Sequence, residues 1–143
     1  MPGITVGVDG SERSRAALEW AIREAGLRGA SLTVLTVNPV ASNYWTGSAE
    51  HYPADQPATE AVRKAAEETV QQVVSQAGDR GPASVTVRAV SGLPAQELVA
   101  ASSDADMVVV GSRGGGGFSK LLLGSVTNQV VSHAACPVVV VHE

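Results

Sequence analysis

Aromatic side chains are scarce in this sequence: one Phe, two Trp and two Tyr among 143 residues. Rings at that density cannot fill a core, so Val, Leu, Ile and Ala must, which suits a parallel sheet buried on both faces. Cysteine is rarer still. Cys136 stands alone, which excludes an internal disulfide. Its place at the entry to an apolar strand marks it as a small buried residue rather than a redox thiol. No apolar run approaches the roughly 18 residues that a membrane-spanning helix requires. The opening MPGITVGVDG has neither a basic leader segment nor an apolar one, so a cytoplasmic protein with no membrane partner is expected. A basic stripe is missing too, and the formal charge of -4 argues against nucleic acid as a partner. What remains is 44% hydrophobic and 17% charged, the composition of a globular chain. Its length suits one domain, residues 1–143, with no internal repeat.

Several catalytic patterns are also missing. Ser119 precedes Lys120, so no G-x-x-x-x-G-K-[ST] can be laid on the chain, and no G-x-G-x-x-G follows a candidate strand. The nucleophile pattern G-x-S-x-G fails around Ser119, where Leu121 takes the last position. His51, His133 and His142 are scattered without metal-ligand spacing. No catalytic residue and no protein metal ligand is assigned, since nothing here supplies an oriented nucleophile or base.

The informative stretch is residues 106–126, DMVVVGSRGGGGFSKLLLGSV. It reads as a short apolar strand over 107–110, a glycine-rich loop, and a helix that opens at Gly124 and Ser125. Unpaired amides at a helix N-terminus point at an anion, and open α/β sheets hold phosphate this way. The glycines are spaced G-x-x-G, nine residues, then G-S, through Gly111, Gly114 and Gly124. Glycine permits positive φ and close backbone approach to a ligand, and Ser125 can cap the helix or donate its hydroxyl to a phosphate. Arg113 and Lys120 supply two cations inside the loop.

The rest of the chain alternates strand and helix. Strands are expected at 4–8, with Asp9 and Gly10 closing the first, and at 31–37, 84–90, 107–110 and 137–141. Ser11 can cap the first helix, on which Ala17, Trp20, Ala21, Glu24 and Leu27 fall at helical steps before Gly29 stops it. A second helix over 58–77 turns Val62, Ala66, Thr69 or Val70, Val73 and Ala77 to one side and ends at Gly78. Pro94 starts a third, carrying Leu98 and Val99 inward, and the fourth carries Val126, Val130 and Val131. Five alternations of this kind give an α/β fold, a doubly wound parallel sheet with helices on both faces. Residues 38–57 hold three prolines and both tyrosines with Trp45, and read either as a surface insertion or as a flap over a ligand.

The glycine spacing, together with VGVDGS at 6–11, SGLP at 91–94 and CPVVVV at 136–141, resembles the universal stress protein family, in its nucleotide-binding branch. The resemblance covers essentially the whole chain. It implies a single five-stranded flavodoxin-like, Rossmann-like sheet of order 3-2-1-4-5, which periodicity does not supply. It also implies a site for ATP, or for ADP or AMP, with Mg²⁺. By position, Asp9, Gly10 and Ser11 match the family's ribose and adenine side, and Val37 matches the position whose backbone meets adenine. Gly111, Arg113, Gly114, Gly124, Ser125 and Val126 match the ribose-phosphate side. In that strand order Asp9 and the glycine loop border one crevice, where a carboxylate suits ribose hydroxyls or a coordinated metal ion. The expected role is regulatory, in a stress response: a homodimer formed through Val138–Val141, whose occupied state is read by a protein partner. A slow ATP hydrolase or nucleotidyl transferase, and an interaction module with a vestigial pocket, are the alternatives.

Overall fold

Short runs of β-branched residues form five strands: β1 (Ile4–Val8), β2 (Ser31–Pro39), β3 (Ser84–Gly92), β4 (Met107–Gly111) and β5 (Val138–Val141). In the computed structural model, which describes residues 3–39, 56–78, 81–82, 84–112 and 124–142, they make one sheet of order β3-β2-β1-β4-β5. Every pairing is parallel, and Val6 lies between Val34 of β2 and Val109 of β4. The helices are α1 (Glu12–Arg28), α2 (Gln56–Ala77), α3 (Pro94–Ser102) and α4 (Ser125–His133).

Because successive strand residues point to opposite faces, each strand feeds two cores. Val6, Val34 and Val109 meet Leu18 and Ile22 of α1 and Val70 and Val73 of α2 on one face. Leu35, Val108 and Val110 meet Leu98 of α3 and Val130 of α4 on the other. The sheet is therefore doubly wound, as the alternation and the family order imply. Gly7 of β1 is what lets α3 sit so close: a Cβ there would stand 2.9 Å from Leu98 Cδ2. No helix among the described residues is long and apolar enough to cross a membrane.

Several expectations shift. The buried face of α1 is Ala17, Leu18, Ala21, Ile22 and Ala25, while Leu27 is 81% exposed. Trp20 only packs against the edge of the core. The two stripes share Ala17 and Ala21, and the sheet takes the one that brings two branched aliphatics inward. Val131 of α4 is likewise 48% exposed, because Val126 and Val130 already use the inward positions at four-residue spacing. Cys136 is half-buried rather than enclosed; its Sγ lies 3.5 Å from Pro137 O. Desolvation raises its pKa, and the charge of Asp106 adds to the rise. The helix stops hold: Gly29 and Gly78 take φ of 62° and 63°, and Gly29 N–H donates to Ala25 O.

Candidate functional site

Strands β1 and β4 are neighbours, yet α1 leaves β1 toward one face and α4 lies on the other. A crevice opens at such a switch point, at the carboxyl ends of the strands. Asp9 is the first residue past β1. Its Oδ1 accepts from Ser11 N at 2.9 Å, closing a small turn that Gly10 completes at φ 85°. Ser11 caps α1 by accepting from Ser14 N at 3.2 Å. The Ser14 hydroxyl donates to Ser11 O at 2.9 Å and accepts from Asp9 N at 3.2 Å. Asp9 is exposed, and its carboxylate is held through Oδ1.

Across the crevice, β4 ends at Gly111. Its φ is not positive. Glycine suits the position for a different reason: a Cβ would lie 3.1 Å from Arg13 O, in the first turn of α1, tighter than ordinary contact. Gly111 O accepts from the Thr127 hydroxyl at 2.7 Å, which ties β4 to the start of α4. Gly124, not Ser125, occupies the N-cap of α4, and no side chain caps it. Ser125 is the first helical residue and is exposed. Gly124 N–H donates to Ser112 O at 2.9 Å, so it is already paired and cannot serve an anion. The first bond of the helix runs from Asn128 N to Gly124 O at 2.9 Å, which leaves the amides of Ser125, Val126 and Thr127 ahead of the ladder, as at any helix start.

Between these two rims lies a cleft of about 130 Å³. Val37, Pro94, Leu98, Val110 and Val126 make it apolar, and Asp9 and Thr127 make its polar edge. Asp9, Gly111, Val37 and Val126 are therefore brought to one opening, while Gly10 and Ser11 border a larger adjoining cavity. Arg113 and Gly114 lie outside the described residues, as do Lys120 and most of the 38–57 segment, including Tyr44, Trp45 and Tyr52. Ser14 and Thr127 were not singled out from the sequence, and Leu98 was expected only as an inward residue of its helix. Ser14 was detectable as the residue three past a capping serine, which is where a cap delivers its bond. Thr127 carried no such signal, since its partner is a carbonyl on another element.

The chemistry of the cleft is that of a polar ligand with a flat apolar part. A carboxylate accepts from hydroxyls, aliphatic walls take a ring, and a helix N-terminus tolerates an anion. These donors suit an adenine nucleotide. They do not make a metal cage: among the described residues no three His, Cys, Asp or Glu side chains cluster, so Asp9 could offer Mg²⁺ a single carboxylate and phosphate oxygens would have to supply the rest.

Comparison with known proteins agrees in kind. The model for the universal stress protein family matches residues 2–142. A universal stress protein of Mycolicibacterium smegmatis is 36% identical over 140 residues, covering 98% of this chain and 48% of the relative; the chain spans about half the length of the curated relatives it matches. Among solved structures, universal stress protein UspA from Lactobacillus plantarum gives a TM-score of 0.76 at 29% identity, covering 98% of this chain and 97% of that one. A universal stress protein in complex with cAMP gives 0.69 at 25% identity, covering 99% and 96%. The universal stress protein from Archaeoglobus fulgidus in complex with dAMP gives 0.55 at 26%, covering 98% and 97%. The chain belongs to the universal stress protein family.

Proposed function

We propose that this universal stress protein chain is a regulatory adenine-nucleotide binder, with ATP in the β1/β4 crevice and little or no catalysis. The observation that carries the reading is the convergence of Asp9 and the α4 start on one apolar cleft. Asp9 takes the ribose hydroxyls through its carboxylate. Val37 and Val110 flank the base, and the amides of Ser125 and Val126 meet phosphate. Gly10 and Ser11 shape the acid's turn, Gly111, Arg113 and Gly114 complete the phosphate side, and Gly124 fixes the helix start without an amide of its own to offer. That two neighbours of similar fold are solved with cAMP and dAMP supports adenine as the base. Mg²⁺ would arrive on the triphosphate. The proposal applies to residues 1–143 as one domain, whether the chain acts alone or within a longer protein, and places it in the cytoplasm.

The dimer belongs to the same proposal. β5 is an edge strand of the sheet, four valines long and half-buried throughout. A bare edge of that kind invites pairing, and a second copy satisfies it symmetrically. A protein partner would then read the occupied dimer.

Isothermal titration with ATP, AMP and cAMP, each with and without Mg²⁺, tests the reading, alongside mass spectrometry of whatever copurifies. Saturable binding of an adenine nucleotide, weakened in Asp9→Asn, is expected. No binding at millimolar ATP and cAMP would refute it. ATP left intact after long incubation separates regulation from slow hydrolysis or nucleotidyl transfer.

A further inference from the structure

The larger cavity lies on the other face of the sheet from the Val126 cleft, between α1 and α2. Its floor is Val8 and Thr36, directly paired across the β1–β2 ladder. Leu18 of α1 and Val62, Ala66 and Thr69 of α2 wall it. At about 620 Å³ it is in the size range that encloses small-molecule ligands. The two openings meet at the carboxyl edge of the sheet, where Val8, Asp9, Ser14, Val37 and Pro94 line both, but the walls made by Leu18 of α1 and Val62, Ala66 and Thr69 of α2 belong to this one alone.

Thr36 gives the cavity a direction. It is 3% exposed, yet its hydroxyl has no hydrogen-bond partner among the described residues. No fully enclosed side-chain polar atom there lacks a partner, so this hydroxyl must touch open space, and the space beside it is the cavity. A hydroxyl that opens on an otherwise aliphatic floor can donate to an acceptor seated in the cavity. Charge at the mouth narrows the class of ligand. Asp9 and Glu12 stand there with Arg15, whose guanidinium is shared between Glu19 at 3.5 Å and Gln72 Oε1 at 3.3 Å. An anionic head would meet two carboxylates and a cation already engaged.

We propose that the α1–α2 cavity is a second ligand site, for an uncharged, mainly apolar molecule with one acceptor oxygen that takes the Thr36 hydroxyl hydrogen. The site does not rest on the nucleotide reading, since its deep walls lie on the other face of the sheet. Ala66 holds it open, because a larger side chain at that position would occupy the space.

The test uses prodan, an uncharged naphthalene ketone whose emission reports hydrogen bonding to its carbonyl. Prodan is expected to bind the full chain saturably, one per chain, and to stay bound at saturating ATP or cAMP. Anilinonaphthalene sulfonate, an anion of similar size, should bind more weakly. Thr36→Val removes the hydroxyl and is expected to weaken prodan about tenfold and shift its emission to the blue. Ala66→Phe should abolish binding. Absence of saturable binding, displacement of prodan by nucleotide, or unchanged binding in Ala66→Phe would each overturn the proposal. Should Ala66→Phe fail to fold by circular dichroism, Thr36→Val decides, and an unchanged affinity and spectrum there would overturn it. Failure to bind nucleotide would leave a positive prodan result standing.

Discussion

Glycine inside a strand ordinarily weakens it, so Gly7→Ala in β1 should stabilise the protein by about 0.5–1 kcal/mol through the unfolded chain alone. The structure reverses the sign. A Cβ at Gly7 would stand 2.9 Å from Leu98 Cδ2 and 3.1 Å from Cδ1, so Leu98, which is only 5% exposed, must leave its packed position, and the room for that is the cleft it lines. Overpacking of this kind costs about 1–3 kcal/mol. The net expectation is a loss of about 0–2.5 kcal/mol, read as a lower urea midpoint at unchanged slope. Leu98→Ala by itself should cost about 2–3 kcal/mol as a buried truncation. Combined, the two should cost less than their sum, because the truncation removes the atoms that the new methyl strikes. The double-mutant cycle should show a coupling of about 1–2 kcal/mol. A Gly7→Ala variant more stable than the parent, or strictly additive costs, would refute the claim that Gly7 is there for α3. Leu98 also lines the nucleotide cleft with Pro94, so Gly7→Ala should weaken nucleotide binding as well.

Asp9→Asn keeps an oxygen for Ser11 N but removes the charge, so nucleotide affinity should fall about tenfold with the melting temperature nearly unchanged; a shared loss of both would make Asp9 a turn residue only. Gly10→Ala forces a side chain to φ 85° and should cost about 1–2 kcal/mol by urea titration. Val140→Lys, in the middle of β5, should turn a dimer into a monomer by light scattering, and a parent that is monomeric at micromolar concentration would refute the dimer outright. Cys136 should react with iodoacetamide more slowly at pH 8 than a free thiol does, with its inflection above the ordinary thiol value, because burial raises its pKa. The folded chain holds that proton more tightly. This stabilisation is therefore full below the unfolded thiol value of about 8.5 and is lost as pH rises through the folded one.

Much of the fold was legible in the residues. The face of α2 follows from Ala66, Val70 and Val73, which fall at helical spacing with charges between them, and all three are buried. The phase of α1 was not legible. Its alanines belong to both candidate stripes, and what separates Leu18 and Ile22 from Trp20 and Leu27 is the shape of the sheet surface beneath them. The helix start at residue 124 or 125 was ambiguous because glycine and serine are both good caps. A bond from Gly124 N–H to Ser112 O settled it, and no local pattern encodes that bond.

By itself the sequence determined the alternation of strand and helix, the aliphatic character of both cores, and the presence of an acid after β1 and a glycine-rich segment after β4. Each is a short-range property, set by the period at which apolar residues recur and by which residues tolerate a turn. Tertiary structure alone decided that Gly111 lies close against Arg13 O, that Gly7 lies close against Leu98, and that a cavity floored by Thr36 opens between α1 and α2. Those facts are distances between atoms far apart along the chain, and packing creates them only once the sheet has closed.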